Sequence, residues 1–321
     1  KRYVVKKGAE REGKVKVENE YKWLLGLPDG LKKNFTTVLE YHSDENGAWF
    51  EMPYYPLPSL RKLIISGELS LQETKDIVLK IMTFVKDNLH SQRVSEVPQD
   101  YMEKSHYSRV IDRTKDLPNI NPAYKDLVYN EYLTINGRKY LNLLPAMDLL
   151  LKDFQALDSL RPESFDVIHG DFHFQNVLWD KENHDFILAD PRGELDGGDI
   201  FYDLGKIFHS VRAKYDLIHT GLFHLEYSSD MLNFDYNFDL IKDISEKYDK
   251  MFDFLQEKVH DLYSDKENID LKILFNEAMH LASVSIFHVN RYDNEDRPIL
   301  MYLKGVELMD ELLHKLEIIK E

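Results

Sequence analysis

Three oxygen-bearing side chains, those of Asp171, Asn176 and Asp190, carry the chemistry that this sequence suggests. Asp171 and Asn176 share the segment Val-Ile-His-Gly-Asp-Phe-His-Phe-Gln-Asn-Val-Leu at 167–178, and Asp190 follows in Phe-Ile-Leu-Ala-Asp-Pro-Arg-Gly at 186–193. Mg²⁺ takes oxygen ligands and usually relies on one or two carboxylates plus substrate phosphates. Asn176 and Asp190 suit that role, which leaves Asp171 to accept a proton from an attacking hydroxyl. The pattern therefore predicts phosphoryl transfer.

Two buried strands must position these residues. Apolar runs on either side of the loop predict a strand before it and another after it, and the return along 185–188 would bring Asp190 beside Asp171 and Asn176. Asp, Asn and Gly are also common in ordinary turns between strands. Several such residues at defined spacings in a strand-loop-strand context favour the functional interpretation over a plain turn.

The spacing resembles that of a known group of enzymes. His-x-Asp-x-x-x-x-Asn at 169–176, followed by Asp-x-x-Gly at 190–193, is similar to the catalytic and metal-binding pair of kinase-fold enzymes. His-Gly-Asp at 169–171 resembles the aminoglycoside phosphotransferase and choline kinase branch, and Gly-Asp…Asp-Leu-Gly-Lys at 198–206 resembles that branch's Gly-Asp…Asp-Leu-Ala segment. The resemblance implies an α+β, two-lobed protein-kinase-like fold with a small β-rich N-terminal lobe and a large, mostly helical C-terminal lobe.

The same resemblance implies a role for each residue of the loop. Asp171 would be the catalytic base, and Asn176 and Asp190 would hold Mg²⁺. His169 would pack under the loop, and Asp203 would brace the loop through backbone hydrogen bonds. The implied reaction is Mg²⁺- and ATP-dependent phosphorylation of a hydroxyl on a small molecule such as a sugar, an amino alcohol or an aminoglycoside-like compound.

One departure from the branch lies at the second aspartate. The branch usually reads Ile-Asp-Phe or Ile-Asp-Trp there, whereas this chain reads Ala-Asp-Pro-Arg-Gly at 189–193. A proline pushes the residue before it toward extended geometry, so we expect Asp190 to be a fixed, extended ligand. Asp-Pro-Arg-Gly resembles a subset of these kinases found with bacterial capsule and surface-polysaccharide biosynthesis, which implies a role in making a surface glycan.

A phosphate-binding lysine is expected near the start of the chain. By the Val-Ala-Ile-Lys pattern, Lys6 is the first candidate and Lys7 the alternate on the opposite face of the strand. Helix formers over Val17–Leu27 predict a helix that follows, and Glu20 on it would orient the lysine, with Glu18 as the second choice. A solvated surface lysine is the competing interpretation.

Two further strands, Thr36–Tyr41 and Ala48–Met52, are joined by Ser-Asp-Glu-Asn-Gly, a good hairpin turn. The second strand runs into the proline-dense segment 53–58, which resembles the hinge between kinase lobes. The predicted division is an N-terminal nucleotide-binding lobe at 1–52, a hinge at 53–58, and a catalytic and acceptor-binding lobe at 59–321.

The segment around the hinge is also the predicted site for the nucleotide base, with Glu51, Met52 and Tyr54 as its residues. A stiff linker that touches no ligand is the alternative. Kinase-fold lobes usually begin with two strands and a phosphate loop, which this sequence does not contain before its first strand. We therefore expect residues that precede Lys1 in a longer chain to complete the lobe.

The remainder of the chain is predicted to be mainly helical. The predicted helical segments are Ser59–Ser66, Ser70–Asn88, Tyr101–Thr114, Pro145–Leu157, Phe238–Tyr263, Leu271–Asn290 and Arg297–Ile319. Arg109, His288, Arg291 and Tyr292 are candidates for the acceptor pocket, the last three by resemblance to the capsule-associated subset. Charged residues on a solvated helix face or at a helix end explain the same positions without a ligand.

Composition narrows the class of protein. The chain has 321 residues, a net charge of −16 and no cysteine. The absence of cysteine excludes disulfides, and the acidic balance argues against nucleic acid as a partner because phosphate backbones are bound by clustered Lys and Arg. No apolar run is long enough to span a membrane and no secretory signal is present, so we expect a cytoplasmic protein.

Two alternatives keep the fold and change the function. A nucleotide-binding pseudokinase or scaffold domain of a longer protein would account for the unusual Asp-Pro-Arg-Gly and the missing phosphate loop, although Asp171, Asn176 and Asp190 together favour an enzyme. A protein kinase is the other alternative. Against it, no activation-loop equivalent follows Gly193 before the next helix.

Overall fold

The computed structural model describes residues 3–290 and 296–320, in which strands and helices alternate up to Asn237 and the regular elements beyond it are all helices. This confirms the predicted α+β class. The strands are β1 Val4–Glu10, β2 Glu40–Ser43, β3 Gly47–Pro53, β4 Arg93–Ser95, β5 Tyr132–Ile135, β6 Arg138–Leu141, β7 Phe165–Asp166, β8 Val177–Asp180, β9 Asp185–Leu188, β10 His224–Tyr227 and β11 Asn233–Asn237. The α-helices are α1 Glu12–Gly26, α2 Asp29–Lys32, α3 Leu60–Ile65, α4 Leu71–Asn88, α5 Ser108–Ile120, α6 Lys125–Tyr129, α7 Leu143–Lys152, α8 Phe154–Leu160, α9 Ile200–Val211, α10 Tyr215–His219, α11 Lys242–Leu262, α12 Ile269–Val284 and α13 Asp296–Lys315.

The chain divides into two compact units. Unit 1 combines Lys1–Glu96 with Ser164–Asp203, and unit 2 combines Val97–Glu163 with Leu204–Glu321. The predicted hinge at 53–58 lies inside unit 1, so the units follow a different division from the predicted lobes, and those lobe boundaries stay a prediction. All the residues of the predicted phosphoryl-transfer site belong to unit 1.

An antiparallel sheet in the order β1-β3-β2 opens unit 1. Helix α1 packs against β1 and β3. The predicted hairpin turn forms because Asp44 Oδ1 accepts the backbone N–H groups of Asn46 at 2.8 Å and Gly47 at 3.1 Å. The strand before this turn is shorter than predicted, since β2 begins only at Glu40.

The hairpin β8–β9 carries the central residues. Its antiparallel register pairs Val177 with Leu188, and the backbone N–H of Ala189 donates to the carbonyl of Asn176 at 2.8 Å. Val177 and Leu188 are fully buried, which anchors this end of the hairpin. Asn176 and Asp190 therefore leave the same end of the same hairpin, as the predicted strand-loop-strand arrangement requires.

Helices α3 and α4 follow the first sheet and begin as their sequences predict. The Ser59 side chain accepts the backbone N–H of Lys62 at the start of α3. Ser70 and Glu73 form a reciprocal capping box at the start of α4. The buried apolar residues of α4 recur at helical spacing and form one stripe, namely Ile77, Val78, Ile81, Met82 and Val85.

Unit 2 is mostly helical and has a large apolar core to which α12 and α13 contribute many residues. It also contains a sheet in the order β10-β11-β5-β6. The predicted helix Pro145–Leu157 is in fact two helices, α7 and α8, because Asp153 accepts the backbone N–H of Ala156 and so starts a new helix. Helix α12 ends at Val284, before the predicted end at Asn290. None of the described helices is both long enough and apolar enough to cross a membrane.

Candidate active site

Asp203 holds the turn that precedes Asp171. Its carboxylate accepts the backbone N–H groups of His169 at 2.8 Å and Gly170 at 2.7 Å. His90 Nε2 lies 3.0 Å from the same carboxylate. Asp203 is fully buried, so these hydrogen bonds fix the turn in one conformation. They are the contacts that the family resemblance implies for this residue.

His169 lies beneath the loop. The side chain is fully buried, and burial lowers its pKa, which favours the neutral imidazole. Its Nδ1 accepts the backbone N–H of Asp171 at 3.3 Å. The position suits a structural role, since the buried ring accepts a hydrogen bond from the backbone of Asp171 and so helps to fix it.

Asn176 orients the carboxylate of Asp171. Its side-chain amide nitrogen donates to the Asp171 carbonyl at 2.9 Å and to Asp171 Oδ2 at 3.0 Å. The Asp171 side chain keeps 37% of its surface exposed, so it is held from one side and open on another. This is the arrangement that a base for an incoming hydroxyl needs.

His173 is a site residue that the sequence reasoning missed. Its Nε2 lies 3.3 Å from Asp171 Oδ2, and its Nδ1 accepts the backbone N–H of Gln175 at 3.3 Å. The side chain thus joins Asp171 to the helical turn Phe174–Asn176. Its place two residues after Asp171 on the same loop was the available signal.

Asn176 and Asp190 offer oxygen atoms that suit Mg²⁺. The amide nitrogen of Asn176 is engaged by Asp171, which leaves the side-chain oxygen as the group that could coordinate a metal. The Asp190 side chain is 53% exposed at the end of β9. One carboxylate and one amide oxygen at the same end of a hairpin form a donor set that fits a hard cation with further ligands from phosphates.

The backbone of Asp190 differs from the prediction. Its φ is +56°, in the left-handed region, whereas the following proline predicts an extended conformation. Asp tolerates the left-handed region better than most residues, and such conformations are found at functional sites where the surroundings enforce them. The expectation of extended geometry at Asp190 is therefore wrong.

The lysine that meets Glu20 is Lys7. Its Nζ lies 2.5 Å from Glu20 Oε2 and 3.1 Å from Asp190 Oδ1. Burial alone would lower the pKa of Lys7, but the carboxylates of Asp190 and Glu20 outweigh it and hold that pKa above its ordinary value. The ammonium group is therefore charged at neutral pH.

Lys6 points to the other face of β1, because successive side chains alternate along a strand. Its Nζ lies 3.5 Å from the centre of the Trp49 ring. The expectation that Lys6 would pair with Glu20 is therefore wrong, and the alternate, Lys7, makes that contact. Glu18, the second choice for the acidic partner, instead accepts a hydrogen bond from Ser43 Oγ at 2.5 Å.

The predicted base-binding segment already uses some of its backbone groups. The Glu51 carbonyl accepts the backbone N–H of Leu39 at 2.7 Å, and the Tyr54 backbone N–H donates to the Tyr3 carbonyl at 3.0 Å. Met52 lies opposite Val5 in the β1–β3 pair. A nucleotide base bound along this segment would have to use its other groups, so the assignment of Glu51, Met52 and Tyr54 stays a prediction.

The predicted acceptor residues lie in unit 2 or outside the described residues. Arg109 lies in the first turn of α5. His288 is buried, and its ring packs edge-on against His219 with centroids 5.4 Å apart. Arg291 and Tyr292 fall outside the described residues. An open groove of about 860 Å³ in unit 2 is lined by other residues, among them Arg138, Lys139 and His314.

Comparisons with known proteins bear on the family and on the fold. The sequence model of the phosphotransferase enzyme family matches residues 1–219. No curated protein sequence matches the chain. Among solved structures, 48 chains match. One is a candidate fructosamine-3-kinase from Haemophilus somnus 129PT, with 12% identity, coverage of 97% of this chain and 84% of its own, and a TM-score of 0.50. At that identity the likeness concerns the fold alone, and it supports the predicted kinase-like fold.

Proposed function

This chain belongs to the phosphotransferase enzyme family, and from that premise we propose that it transfers the γ-phosphoryl group of ATP to a hydroxyl of a small molecule. The acceptor class is the one the family implies. The proposal is supported by unit 1, which contains candidates for a base, a phosphate-binding cation and oxygen ligands for a metal.

Each residue has a distinct task in this proposal. Asp171 accepts the proton of the acceptor hydroxyl, and Asn176 keeps the Asp171 carboxylate in place through the hydrogen bond at 3.0 Å. Lys7 binds oxygens of the donor phosphates, and Glu20 orients it. Asn176 and Asp190 would hold Mg²⁺, which when bound neutralises charge on the donor phosphates.

The observation that carries the proposal is the position of Lys7 between Glu20 and Asp190, at 2.5 Å and 3.1 Å. A lysine paired only with a surface carboxylate would have no bearing on catalysis. Here the lysine joins a helix glutamate that is nearly buried to the carboxylate that follows β9. Phosphoryl transfer depends on positioning and charge neutralisation more than on covalent chemistry, so a lysine held in this way supports the proposal.

The identity of the acceptor is a further step. A sugar, an amino alcohol or an aminoglycoside-like compound each fits a family of small-molecule kinases. A role in surface-glycan synthesis rests on the Asp-Pro-Arg-Gly sequence alone and stays a hypothesis. The alternative is a pseudokinase or scaffold that binds nucleotide without transferring its phosphate.

Calorimetric titration of ATP, with and without Mg²⁺, into the wild type and Asp190→Ala tests the proposal. We expect binding that requires both Mg²⁺ and Asp190. An acceptor screen by ADP release would follow, with Asp171→Asn as the variant that should lose turnover and keep nucleotide binding. ATP binding that does not depend on Mg²⁺ and Asp190 would contradict the proposed metal site. Full turnover by Asp171→Asn would contradict the assignment of Asp171 as the base. Nucleotide binding with no release of ADP for any acceptor would favour the pseudokinase.

A further inference from the structure

Arg192 is the second charged residue of Asp-Pro-Arg-Gly, and the proposed function assigns it no role. Its backbone N–H donates to the carbonyl of His169 at 2.7 Å. Its Cβ lies so close to Gly170 that a Cβ added to that glycine would be 2.5 Å away. Arg192 is therefore packed directly on the turn that delivers Asp171, and Gly170 is what permits the approach.

The guanidinium group of Arg192 is aimed by two neighbours. Nη1 donates to the Tyr202 hydroxyl, and the guanidinium centre lies 5.5 Å from the Tyr202 ring centroid. Nε lies 3.4 Å from Glu194 Oε1. A planar guanidinium held by a ring and a hydroxyl is pre-organised, so it loses little conformational freedom when it binds a further partner.

The Arg192 side chain also keeps access to solvent. The Arg192 side chain is 44% exposed. Arg192 packs against Gly170, the residue before Asp171, so it is a cation held beside the turn that carries the proposed base. Among the described residues that contact Arg192, Glu194 is a carboxylate whose side chain is itself 44% exposed.

We propose that Arg192 binds an anionic group, with phosphate-like or carboxylate oxygens, that enters beside the Asp171 carboxylate. The guanidinium fork matches such groups with two parallel N–H···O bonds. The anion has two chemical sources, the γ-phosphate of the nucleotide or a negatively charged group on the acceptor. In the second case the acceptor is a phosphorylated or acidic compound. The inference rests on the proposed function and refines its substrate class.

Titrations of Mg²⁺-ATP and Mg²⁺-ADP into the wild type, Arg192→Ala and Arg192→Lys distinguish the two sources. If the γ-phosphate is the anion, Arg192→Ala weakens ATP binding by roughly tenfold or more and leaves ADP binding unchanged. Arg192→Lys should recover part of the loss, because it keeps the charge without the fork. Tyr202→Phe, which removes only the hydroxyl that orients the guanidinium group, should lose less affinity for ATP than Arg192→Ala does.

If the acceptor supplies the anion, both nucleotides bind Arg192→Ala as they bind the wild type. Inorganic phosphate titrated into the Mg²⁺-ADP complex then binds the wild type and binds Arg192→Ala roughly tenfold more weakly. Arg93→Ala is the matched control, since Arg93 is an exposed arginine of unit 1 that pairs with Glu96, and it should match the wild type in every titration. Thermal melting of each variant checks that it is folded.

Equal affinity of the wild type and Arg192→Ala for ATP, ADP and phosphate would overturn the inference. Failure of the proposed function gives different results: a pseudokinase would bind nucleotide but release no ADP with any acceptor, and a protein without a nucleotide site would bind neither nucleotide. In that case phosphate is titrated into the protein alone. If Arg192→Ala binds phosphate more weakly than the wild type does, the result would still support an anion site at Arg192. Equal phosphate binding by the two proteins would contradict it.

Discussion

Lys7 Nζ lies 3.1 Å from Asp190 Oδ1, although 183 positions separate the two residues along the chain. The contact joins strand β1 to the hairpin β8–β9 within unit 1. It places the proposed phosphate-binding cation next to a proposed metal ligand. Donor phosphates bound there would meet positive charge from Lys7 and from a metal held at Asp190.

Gly193 sets how closely helix α1 can approach this site. Its φ is +76°, and a Cβ at this position would lie 2.5 Å from the backbone of Asn19 and Glu20. Gly193→Ala should therefore displace the helix segment that carries Glu20, loosen its contact with Lys7, and weaken Mg²⁺-ATP binding by roughly tenfold or more. Calorimetric titration measures the affinity.

Gly67 provides the control for that substitution. It has the same φ of +76° but open space around it. Gly67→Ala should therefore suffer only the backbone strain, about 1–2 kcal/mol, and keep the wild-type affinity for nucleotide. Equal affinity of the Gly193→Ala and Gly67→Ala proteins would show that the close approach to α1 has no role at the site.

Asp203→Asn should destabilise the protein and slow phosphoryl transfer. Each Asp203 oxygen accepts one buried backbone N–H, and an asparagine has only one acceptor oxygen to offer. A buried donor left without a partner costs about 1–3 kcal/mol, and the turn before Asp171 would lose its fixed position. Thermal unfolding and ADP release measure the two effects.

Asp180→Asn is the matched substitution at an exposed turn. Asp180 Oδ1 also accepts two backbone N–H groups, from Glu182 and Asn183, both at 3.0 Å, but water can replace those contacts. We expect a small change in stability and none in transfer. Similar losses in the two variants would contradict the role assigned to Asp203.

Glu277 should make stability depend on pH. It is a fully buried residue of α12, and burial raises its pKa to about 7 although Arg212 Nε lies 3.2 Å away. In the unfolded chain a glutamate ionises at its ordinary, lower pKa. Because the folded protein then holds the extra proton, stability should fall as the pH rises from about 4.5 to about 7.

Glu277→Gln removes this titration. Urea unfolding across that pH range should show that the free energy of unfolding declines by about 3 kcal/mol more for the wild type than for Glu277→Gln. Glu257→Gln, at an exposed glutamate that pairs with Lys258, should behave as the wild type does. An identical pH dependence for the wild type and Glu277→Gln would rule out a raised pKa at this position.

The loop and hairpin could be predicted because their signals are local. The spacing of Asp171, Asn176 and Asp190 in a strand-loop-strand pattern identified the residues that the structure brings to one end of β8–β9. The capping serines of α3 and α4 are local signals as well. Each of these inferences required only a few neighbouring residues.

The choice between Lys6 and Lys7 depended on the phase of β1, which two adjacent lysines leave open. The alternation is weak, since Val5 and Ala9 share a face with Lys7, while Val4, Gly8 and Glu10 share the face of Lys6. Because β1 consists largely of small and charged residues, the alternation of apolar and polar side chains does not identify which lysine faces helix α1.

The remaining differences come from tertiary packing. Asp190 takes a left-handed φ although proline follows it. The contacts at Gly193 and Gly170 join segments distant in sequence, so no local sequence pattern indicates them.

The break between α7 and α8 is a local feature. Asp153 interrupts a leucine-rich stretch whose apolar spacing continues across the break, which is why the sequence predicts one helix where the structure has α7 and α8.

The most direct test of the proposed site compares Lys7→Met with Lys6→Met. The two lysines are adjacent on β1, yet Lys7 contacts Glu20 and Asp190 while Lys6 lies over Trp49. Calorimetric titration of Mg²⁺-ATP should show a loss of roughly tenfold or more for Lys7→Met and wild-type affinity for Lys6→Met. Wild-type affinity in Lys7→Met, or an equal loss in both variants, would contradict the proposed phosphoryl-transfer site.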